Sequence, residues 1–346
     1  MKIINFGDTH IHHSHEYSYP TANGSTKRLD EHIATYRYLC SVIEEEKPDI
    51  VINNGDIIHS QGNIATEVIS TAAMCEKMIA AICKSIGSQY WVLVGNHDKK
   101  SDRPDGAIST RFLEGYYDLK LITFPEVRDQ IFLIPHLSRH QYHLLHEIKH
   151  TGYLLTFSHL DICGAKYHSQ MFDTSGATEE SGISGIVFNG HYHEKQEIRL
   201  SNETIVVCTG APQYWSRREP RFGGRGYLVI TTDIHSNITK WEHKNIPAPD
   251  FITLSNPTVE DIESIDSKHY LHIKLMYETQ LEKLREALSG RIYSSEIVVE
   301  RPNKSVCEKE LLPQFTKEEC ISNYVKMTSS ELKEDKLMEI GLEMLK

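Results

Sequence analysis

The chain has no excess of positive charge. Its 346 residues include 37 Lys and Arg against 48 Asp and Glu, a formal net charge of −11. This argues against a protein that grips nucleic acid by bulk electrostatics alone, because duplex binding is dominated by phosphate neutralisation. Nucleic acid remains open as a substrate, since bound metal ions reverse local charge and a partner can supply a basic surface. Long apolar runs are also lacking. No stretch approaches the roughly 20 residues that a membrane helix needs, so no membrane role is expected. The opening, Met1-Lys2-Ile3-Ile4-Asn5-Phe6, is too short an apolar run for a signal peptide and leads straight into a polar motif; it is expected to be a first strand. Paired cysteine spacing is missing as well. Cys40, Cys75, Cys83, Cys163, Cys208, Cys307 and Cys320 fall mostly on apolar faces, the pattern of reduced core thiols in a cytoplasm. There is no internal repeat and no low-complexity tract. With 39% hydrophobic and 25% charged residues, what remains is an ordinary globular composition, long enough for a large domain and a smaller one.

The first third alternates strand and helix signals. Ile3 to Phe6 is an apolar strand. Leu29, Ile33, Tyr36, Leu39, Cys40 and Ile43 recur at helical spacing until Glu44-Glu45-Glu46-Lys47-Pro48 stops them. Ile50-Val51-Ile52 follows as a strand. Val68, Ile69, Ala72, Cys75, Met78, Ile79 and Ile82 mark a second helix ending near Gly87, and Tyr90 to Val94 is a third strand. This alternation implies parallel βαβ units with buried strands. Later strands, at Ile131–Ile134, Tyr153–Phe157, Gly185–Phe188, Ile205–Val207 and Tyr227–Ile230, have less helix between them and suggest a second sheet packed on the first. Pro247 and Pro249 mark a linker. Beyond it, a strand at Tyr270–Leu275, a helix through Leu281, Leu284 and Leu288, and a strand at Ile297–Val299 form a small β-α-β unit. The expected organisation is an α/β domain over residues 1–248, a two-sheet β-sandwich flanked by helices; a small α+β capping domain over 249–302; and a linker with C-terminal helices over 303–346. Capping-box patterns at Thr316/Glu319 and Thr328/Glu331 open those helices.

Five apolar runs end in small polar clusters: Asn5-Phe6-Gly7-Asp8-Thr9-His10, Asn54-Gly55-Asp56, Val94-Gly95-Asn96-His97-Asp98, Phe157-Ser158-His159 and Asn189-Gly190-His191-Tyr192-His193. Ligands of open α/β sheets sit at the carboxyl ends of strands, so the fold would gather all five on one rim. Asp, Asn and His without Cys suit Mn, Fe or Zn in a reactive site rather than a structural thiolate zinc site. Two metals roughly 3.5–4 Å apart need a bridging carboxylate, and Asp56, after the flexible Gly55, is the natural bridge. Residues two apart on an extended segment project the same way, so Asp8-x-His10 and His191-x-His193 can each place two ligands around one metal or split them between two neighbouring metals. His97, directly after Asn96, should point elsewhere, which suits an acid that protonates a leaving oxygen.

These motifs resemble the calcineurin-type metallophosphoesterases and, within them, the SbcD-type nucleases, a branch that includes phage recombination endonuclease subunits. The resemblance covers roughly the first 240 residues. It implies that Asp8, His10, Asp56 and His193 hold one metal and that Asp56, Asn96, His159 and His191 hold the other. It also implies His97 as the transition-state acid and His59 as the further active-site histidine of the nuclease branch. Phosphatases of the superfamily carry Asp-Arg-Gly after the bridging Asp and Gly-Asn-His-Glu; Ile57-Ile58-His59 and Gly-Asn-His-Asp in this chain favour a nuclease. Thr209-Gly210-Ala211-Pro212 resembles the family's Gly-Ser-Pro segment, with Ala for Ser. The implied activity is a two-metal DNA exonuclease or endonuclease acting on DNA ends in recombination, repair or replication. The preferred ion is Mn²⁺, with Mg²⁺, Fe²⁺ or Zn²⁺ as alternatives. The implied partners are DNA, a second copy, and an SMC-like coiled-coil ATPase of the SbcC type bound through the C-terminal helices.

The run Arg217-Arg218-Glu219-Pro220-Arg221-Phe222-Gly223-Gly224-Arg225 is a candidate DNA-backbone contact, because Arg and an aromatic in a Gly-rich loop suit phosphate; an ordinary exposed loop is the alternative. Lys99-Lys100 is a second candidate for phosphate contact. His12, His13 and His15 are expected in a solvated loop, and His136, His140, His143, His146 and His150 on a wet helix face. The apolar faces of Cys320, Ile321, Tyr324 and Val325 and of Leu337, Met338, Leu342 and Leu345 either cap the small domain or dock a partner's coiled coil. Two rivals stand beside the nuclease. One is a phosphatase or cyclic-nucleotide phosphodiesterase of the same superfamily, and the other is a DNA-end-binding scaffold with a vestigial site.

Overall fold

The computed structural model describes residues 1–299 apart from 14–17, 23, 60–61, 102–105, 117, 149–154, 168–170, 201–203, 215–224, 234–237, 278 and 290–294. The expected C-terminal helices lie outside the described residues. β1 (Lys2–Phe6), α1 (Lys27–Glu46), β2 (Ile50–Asn53), α2 (Thr66–Ile86), β3 (Gln89–Leu93) and β4 (Lys120–Ile122) form the opening alternation. Thr26 caps α1, its hydroxyl oxygen accepting the Leu29 N–H at 3.4 Å. The helix ends at Lys47, whose left-handed φ of 45° precedes Pro48. α2 ends at Gly87 with φ 79°, a conformation glycine adopts without a Cβ clash.

The middle of the chain runs through β5 (Glu126–Arg128), β6 (Ile131–Ile134), α3 (His143–Ile148), β7 (Leu155–Ser158), β8 (Lys166–Tyr167), β9 (Met171–Phe172), β10 (Ile186–Asn189), β11 (Gln196–Arg199) and β12 (Ile205–Cys208). β13 (Gly226–Asp233) and β14 (Ile238–Asn245) follow. Two six-stranded mixed sheets result, ordered β14-β13-β1-β2-β3-β4 and β11-β12-β10-β7-β6-β5. β1, β2, β3 and β4 are mutually parallel, as are β6, β7, β10 and β12. This is an α/β fold of mixed sheets flanked by helices. One expectation needs correcting: β13 does not join the second sheet but returns to pair antiparallel with β1, Ile3 opposite Ile230.

Alternation along the strands builds three layers of core. Ile3, Ile52, Trp91 and Leu93 of the first sheet meet Leu133, Phe157, Phe188 and Val207 of the second. Their neighbours Ile4, Val51 and Val92 face the other way, onto Leu29, Tyr36 and Leu39 of α1 and Cys75 and Ile79 of α2. Phe132, Val187 and Val206 do the same on the outer face of the second sheet, against Leu145 of α3. Successive strand residues point to opposite faces, and each such fully buried side chain contributes about 1.5–3 kcal/mol.

β15 (Phe251–Ser255), α4 (Val259–Glu263), β16 (Tyr270–Leu275), α5 (Thr279–Leu288) and β17 (Ser295–Val299) form a small all-parallel sheet in the order β15-β16-β17. β15 begins directly after the expected linker; its alternating Ile252, Leu254 and polar neighbours were too short a pattern to separate from it. The buried Arg28–Glu31 pair of α1, at 2.6 Å, anchors this sheet. Tyr270 Oη donates to Glu31 Oε1 at 2.5 Å, and the Arg28 guanidinium lies 5.6 and 5.7 Å from the Phe251 and Tyr270 ring centres, within cation–π range. No helix among the described residues is long and apolar enough to cross a membrane.

Candidate metal centre

The polar clusters follow the carboxyl ends of β1, β2, β3, β7 and β10, and backbone bonds lace the loops together. Asp8 N–H donates to Gly55 O at 2.8 Å, His10 N–H to Asp56 O at 2.9 Å, His159 N–H to Ile134 O at 3.0 Å and Gly190 N–H to Ser158 O at 2.9 Å. The loops after β2 and β3 approach so closely that a Cβ on Gly95 would sit 2.1 Å from Asp56 Oδ1. Asp8, His10, Asp56 and His191 all have left-handed backbones, with φ of 54°, 43°, 54° and 73°. Such residues cost about 1–3 kcal/mol each and persist where the surroundings over-determine them, typically at functional sites. The extended geometry expected for Asp8-x-His10 and His191-x-His193 is therefore corrected. Left-handed turns, not strand alternation, bring each pair to the rim.

Asp8, His10 and His193 present donor atoms that all lie within 4.8 Å of one another, and Asp56, His159 and His191 form a second such group. Asp56 Oδ2 joins the two, 3.5 Å from His10 Nε2 and 3.4 Å from His159 Nε2. Asn96 Oδ1 lies 2.9 Å from His159 Nε2 and 3.0 Å from His191 Nδ1. The fold thus brings together all seven residues expected as ligands.

Their protonation requirements fit divalent cations. His159 Nδ1 donates to Asn54 O at 2.8 Å, so its Nε2 lone pair faces the oxygens of Asp56 and Asn96. His10 Nε2 and His193 Nε2 meet head-on at 2.8 Å. Asp8 Oδ1 accepts the His191 N–H at 2.9 Å, while Asp8 Oδ2 is buried without a hydrogen-bond partner. Converging acceptors of this kind call for positive charge between them. Without a metal, His159 meets part of that demand: burial opposes its charge, but Asp56 lifts it to about 9. Burial and the neighbouring His193 keep His10 neutral, well below the usual histidine range. Carboxylate, imidazole and amide oxygen donors without thiolate suit Mn, Fe or Zn.

His97 and His59 stand together at the first cluster. Their rings stack 5.3 Å apart at 15°, and His97 lies 4.7 Å edge-on to His10. His97 N–H donates to Asp56 Oδ1 at 2.7 Å, and His97 Nδ1 donates to His59 O, leaving Nε2 as its second nitrogen. Burial and the adjacent His97 lower His59 to about 4.

The family model for calcineurin-like phosphoesterases matches residues 1–195. The chain belongs to that family. A dimetal phosphatase from Danio rerio is similar at 10% identity, over 66% of this chain and 92% of that one, with a TM-score of 0.40. A nuclease MPE from Pseudomonas putida is similar at 13% identity, over 66% and 83%, with a TM-score of 0.28. No curated protein matches. As a calcineurin-like phosphoesterase, the chain is a metal-dependent hydrolase of phosphoesters, and its two Asp/His clusters suit two divalent ions.

Several residues of this phosphoesterase went unassigned at the level of sequence. Asp98 is buried and takes four backbone N–H bonds, from Asp56 and Gly95 at 2.9 Å, Ile57 at 3.0 Å and Ile58 at 3.3 Å, so it fixes the bridging loop. Asn5 and Asn54 pair at 2.9 Å beneath the site, and Asn189 Oδ1 accepts from Ser158 Oγ at 2.6 Å. Their positions in the polar clusters were the available signal. His12 was expected in a solvated loop but is buried, its Nδ1 2.6 Å from His10 O; His13 is exposed and His15 lies outside the described residues. His136 was expected on a wet helix, yet it is buried behind His159, rings 6.2 Å apart. His140, His143 and His146 are exposed as expected, and His150 lies outside the described residues.

Of the basic run, Arg217, Arg218 and Arg221 lie outside the described residues. Arg225 turns inward instead of toward solvent. Its guanidinium donates to Ala248 O at 2.8 Å and Pro249 O at 2.5 Å, and it lies over Tyr214. Lys99 is likewise buried, donating to His136 O at 2.6 Å. Both side chains are held by protein carbonyls rather than presented to a phosphate.

Proposed function

We propose that the chain is a two-metal DNA nuclease of the SbcD type, acting on DNA ends with an SbcC-type ATPase as partner. The observation that carries the reading is the pair of donor clusters bridged by Asp56, with a His59–His97 stack beside them. Asp8, His10, Asp56 and His193 would hold one cation; Asp56, Asn96, His159 and His191 the other. When bound, the cations activate water at neutral pH and stabilise charge on the phosphate.

The protein's own groups do the rest. Asp98 and the glycine-lined contact between the β2 and β3 loops fix Asp56 between the clusters. The His59 carbonyl fixes the proton on His97 Nδ1, so His97 Nε2 is the atom that can pass a proton to the leaving sugar oxygen. The stacked His59, held neutral, walls one side of that path. The segment Ile57-Ile58-His59 after the bridging aspartate, where phosphatases of the superfamily carry Asp-Arg-Gly, supports a diester over a monoester substrate. The small parallel sheet packed on Arg28 and Glu31 of α1, and the sequence beyond it, support a macromolecular substrate and partner. Mn²⁺ is the proposed ion, the cytoplasm the proposed compartment, and a homodimer the proposed assembly.

The test is Mn²⁺-dependent release of nucleotides from end-labelled linear duplex DNA by the full chain, alone and with its ATPase partner. p-Nitrophenyl phosphate hydrolysis is run in parallel. His97→Ala should lower kcat by roughly 10²- to 10⁴-fold while both ions still bind. Turnover of the monoester with no release from DNA, even with the partner, would leave the phosphatase reading standing instead.

A further inference from the structure

Beside the second cluster lies a carboxylate that the proposed chemistry does not use. Asp161 leaves β7 two residues after His159. Its Oδ1 is 2.8 Å from His191 Nε2. Tyr167 Oη is also 2.8 Å from that nitrogen and donates to Asp161 Oδ1 at 3.1 Å. The loop that carries them is tightly held. Ala177 N–H donates to Asp161 O at 2.7 Å, and Ile162 N–H donates to Tyr192 Oη at 2.7 Å. Tyr192, in turn, sits between His191 and His193 in the sequence, so this loop and the histidine pair are fastened to one another.

We propose that Asp161, assisted by Tyr167, is the positioning residue that commits His191 to the second cation. The argument is one of donors and acceptors. An ionised carboxylate only accepts, so the hydrogen in the 2.8 Å contact belongs to His191 Nε2. Tyr167 spends its own hydrogen on Asp161, so its oxygen accepts a share of the same Nε2–H. The other nitrogen, Nδ1, is thereby left with its lone pair on the inner side of the ring, 3.0 Å from Asn96 Oδ1. Two acceptors at that distance repel unless a cation lies near both. A hydrogen-bonded outer carboxylate of this kind fixes ring orientation and raises the basicity of the ligating nitrogen. His159 is held by a different device, its Nδ1 donating to the Asn54 carbonyl. The two imidazoles of the second cluster are thus oriented by separate anchors, one neutral and one anionic.

This inference rests on the two-cation reading. Its test is calorimetric titration of Mn²⁺ into the full chain, which counts ions and their affinities without turnover. Wild type should take up two ions. Asp161→Ala should weaken one of them by roughly 10- to 100-fold and leave the other unchanged; general damage to the fold would weaken both. Asp161→Asn keeps an acceptor without the charge and should fall between. Tyr167→Phe should cost about fivefold, one neutral hydrogen bond. Two ions bound with wild-type affinities in Asp161→Ala would overturn the assignment alone. Uptake of one ion or none by wild type would overturn the two-cation reading and this inference with it.

Discussion

The two sheets contribute different chemistry to one site. The first delivers Asp8, His10, Asp56 and Asn96, every carboxylate among the expected ligands and the only amide. The second delivers His159, His191 and His193, all imidazoles. Neither face alone supplies either Asp/His cluster: each combines carboxylate from the first sheet with imidazole from the second. Cross-sheet contacts such as His10 to His193 at 2.8 Å, Asn96 to His159 at 2.9 Å and Asp56 to His159 at 3.4 Å exist only because the sheets pack face to face. The apolar layer between them is therefore part of how the site is built, not merely what keeps the chain folded.

That division predicts unequal costs for damage on the two sides. Asp56→Asn removes the carboxylate whose Oδ2 lies within 3.5 Å of a histidine of each cluster. It should lower phosphoester turnover by roughly 10⁴-fold, about 5 kcal/mol, and reduce uptake of both ions in a titration. A variant that still binds two ions tightly would show that the clusters do not depend on a shared carboxylate. Phe157→Ala strikes the layer between the sheets instead. Phe157 is fully buried and stacks on Phe188 at 5.2 Å, so truncation should cost about 3–5 kcal/mol, read as a fall in the urea midpoint with the slope preserved. Residual folded protein should bind metal less well as the two halves of the site drift apart. Unchanged metal affinity in that protein would mean that the rim loops hold the site without help from the core.

The same division explains how much could be read from the sequence. The α/β order, both long helices and the strand ends bearing the polar clusters follow from hydrophobic period and from Pro48 and Gly87, which act locally. The candidate ligands were legible because their residue types have few other reasons to follow apolar strands. The return of β13 to the first sheet was not legible, since Tyr227, Val229 and Ile230 carry no mark of which edge they pair with. His12 and His136 were misplaced because a buried histidine among histidines looks, in one dimension, like a polar tract. Arg225 was misread for a related reason. Its carbonyl partners at 248 and 249 are backbone atoms, which no side-chain pattern announces.

A last, smaller effect sharpens the contrast, because the first sheet's negative character extends beneath the site. Glu76 of α2 is fully buried and accepts from Tyr36 Oη at 2.6 Å, Tyr90 Oη at 2.5 Å and Asn53 Nδ2 at 3.1 Å. Burial raises its carboxyl from 4.5 to about 7, against the pull of those three donors. Between these two values the folded chain keeps a proton that the unfolded chain has lost. The folded state therefore binds more protons across this window, and stability must fall as pH rises through it. The contribution is fully present below pH ~4.5 and gone above pH ~7, on the order of 3 kcal/mol in all. Glu76→Gln has no such proton to lose. Urea midpoints at pH 5 and pH 8 should therefore fall further for wild type than for Glu76→Gln. All other titratable groups are common to both proteins, so taking the difference between them removes their share. Equal pH sensitivity of the two would mean that Glu76 is already ionised in the folded chain, its charge carried by Tyr36, Tyr90 and Asn53 alone.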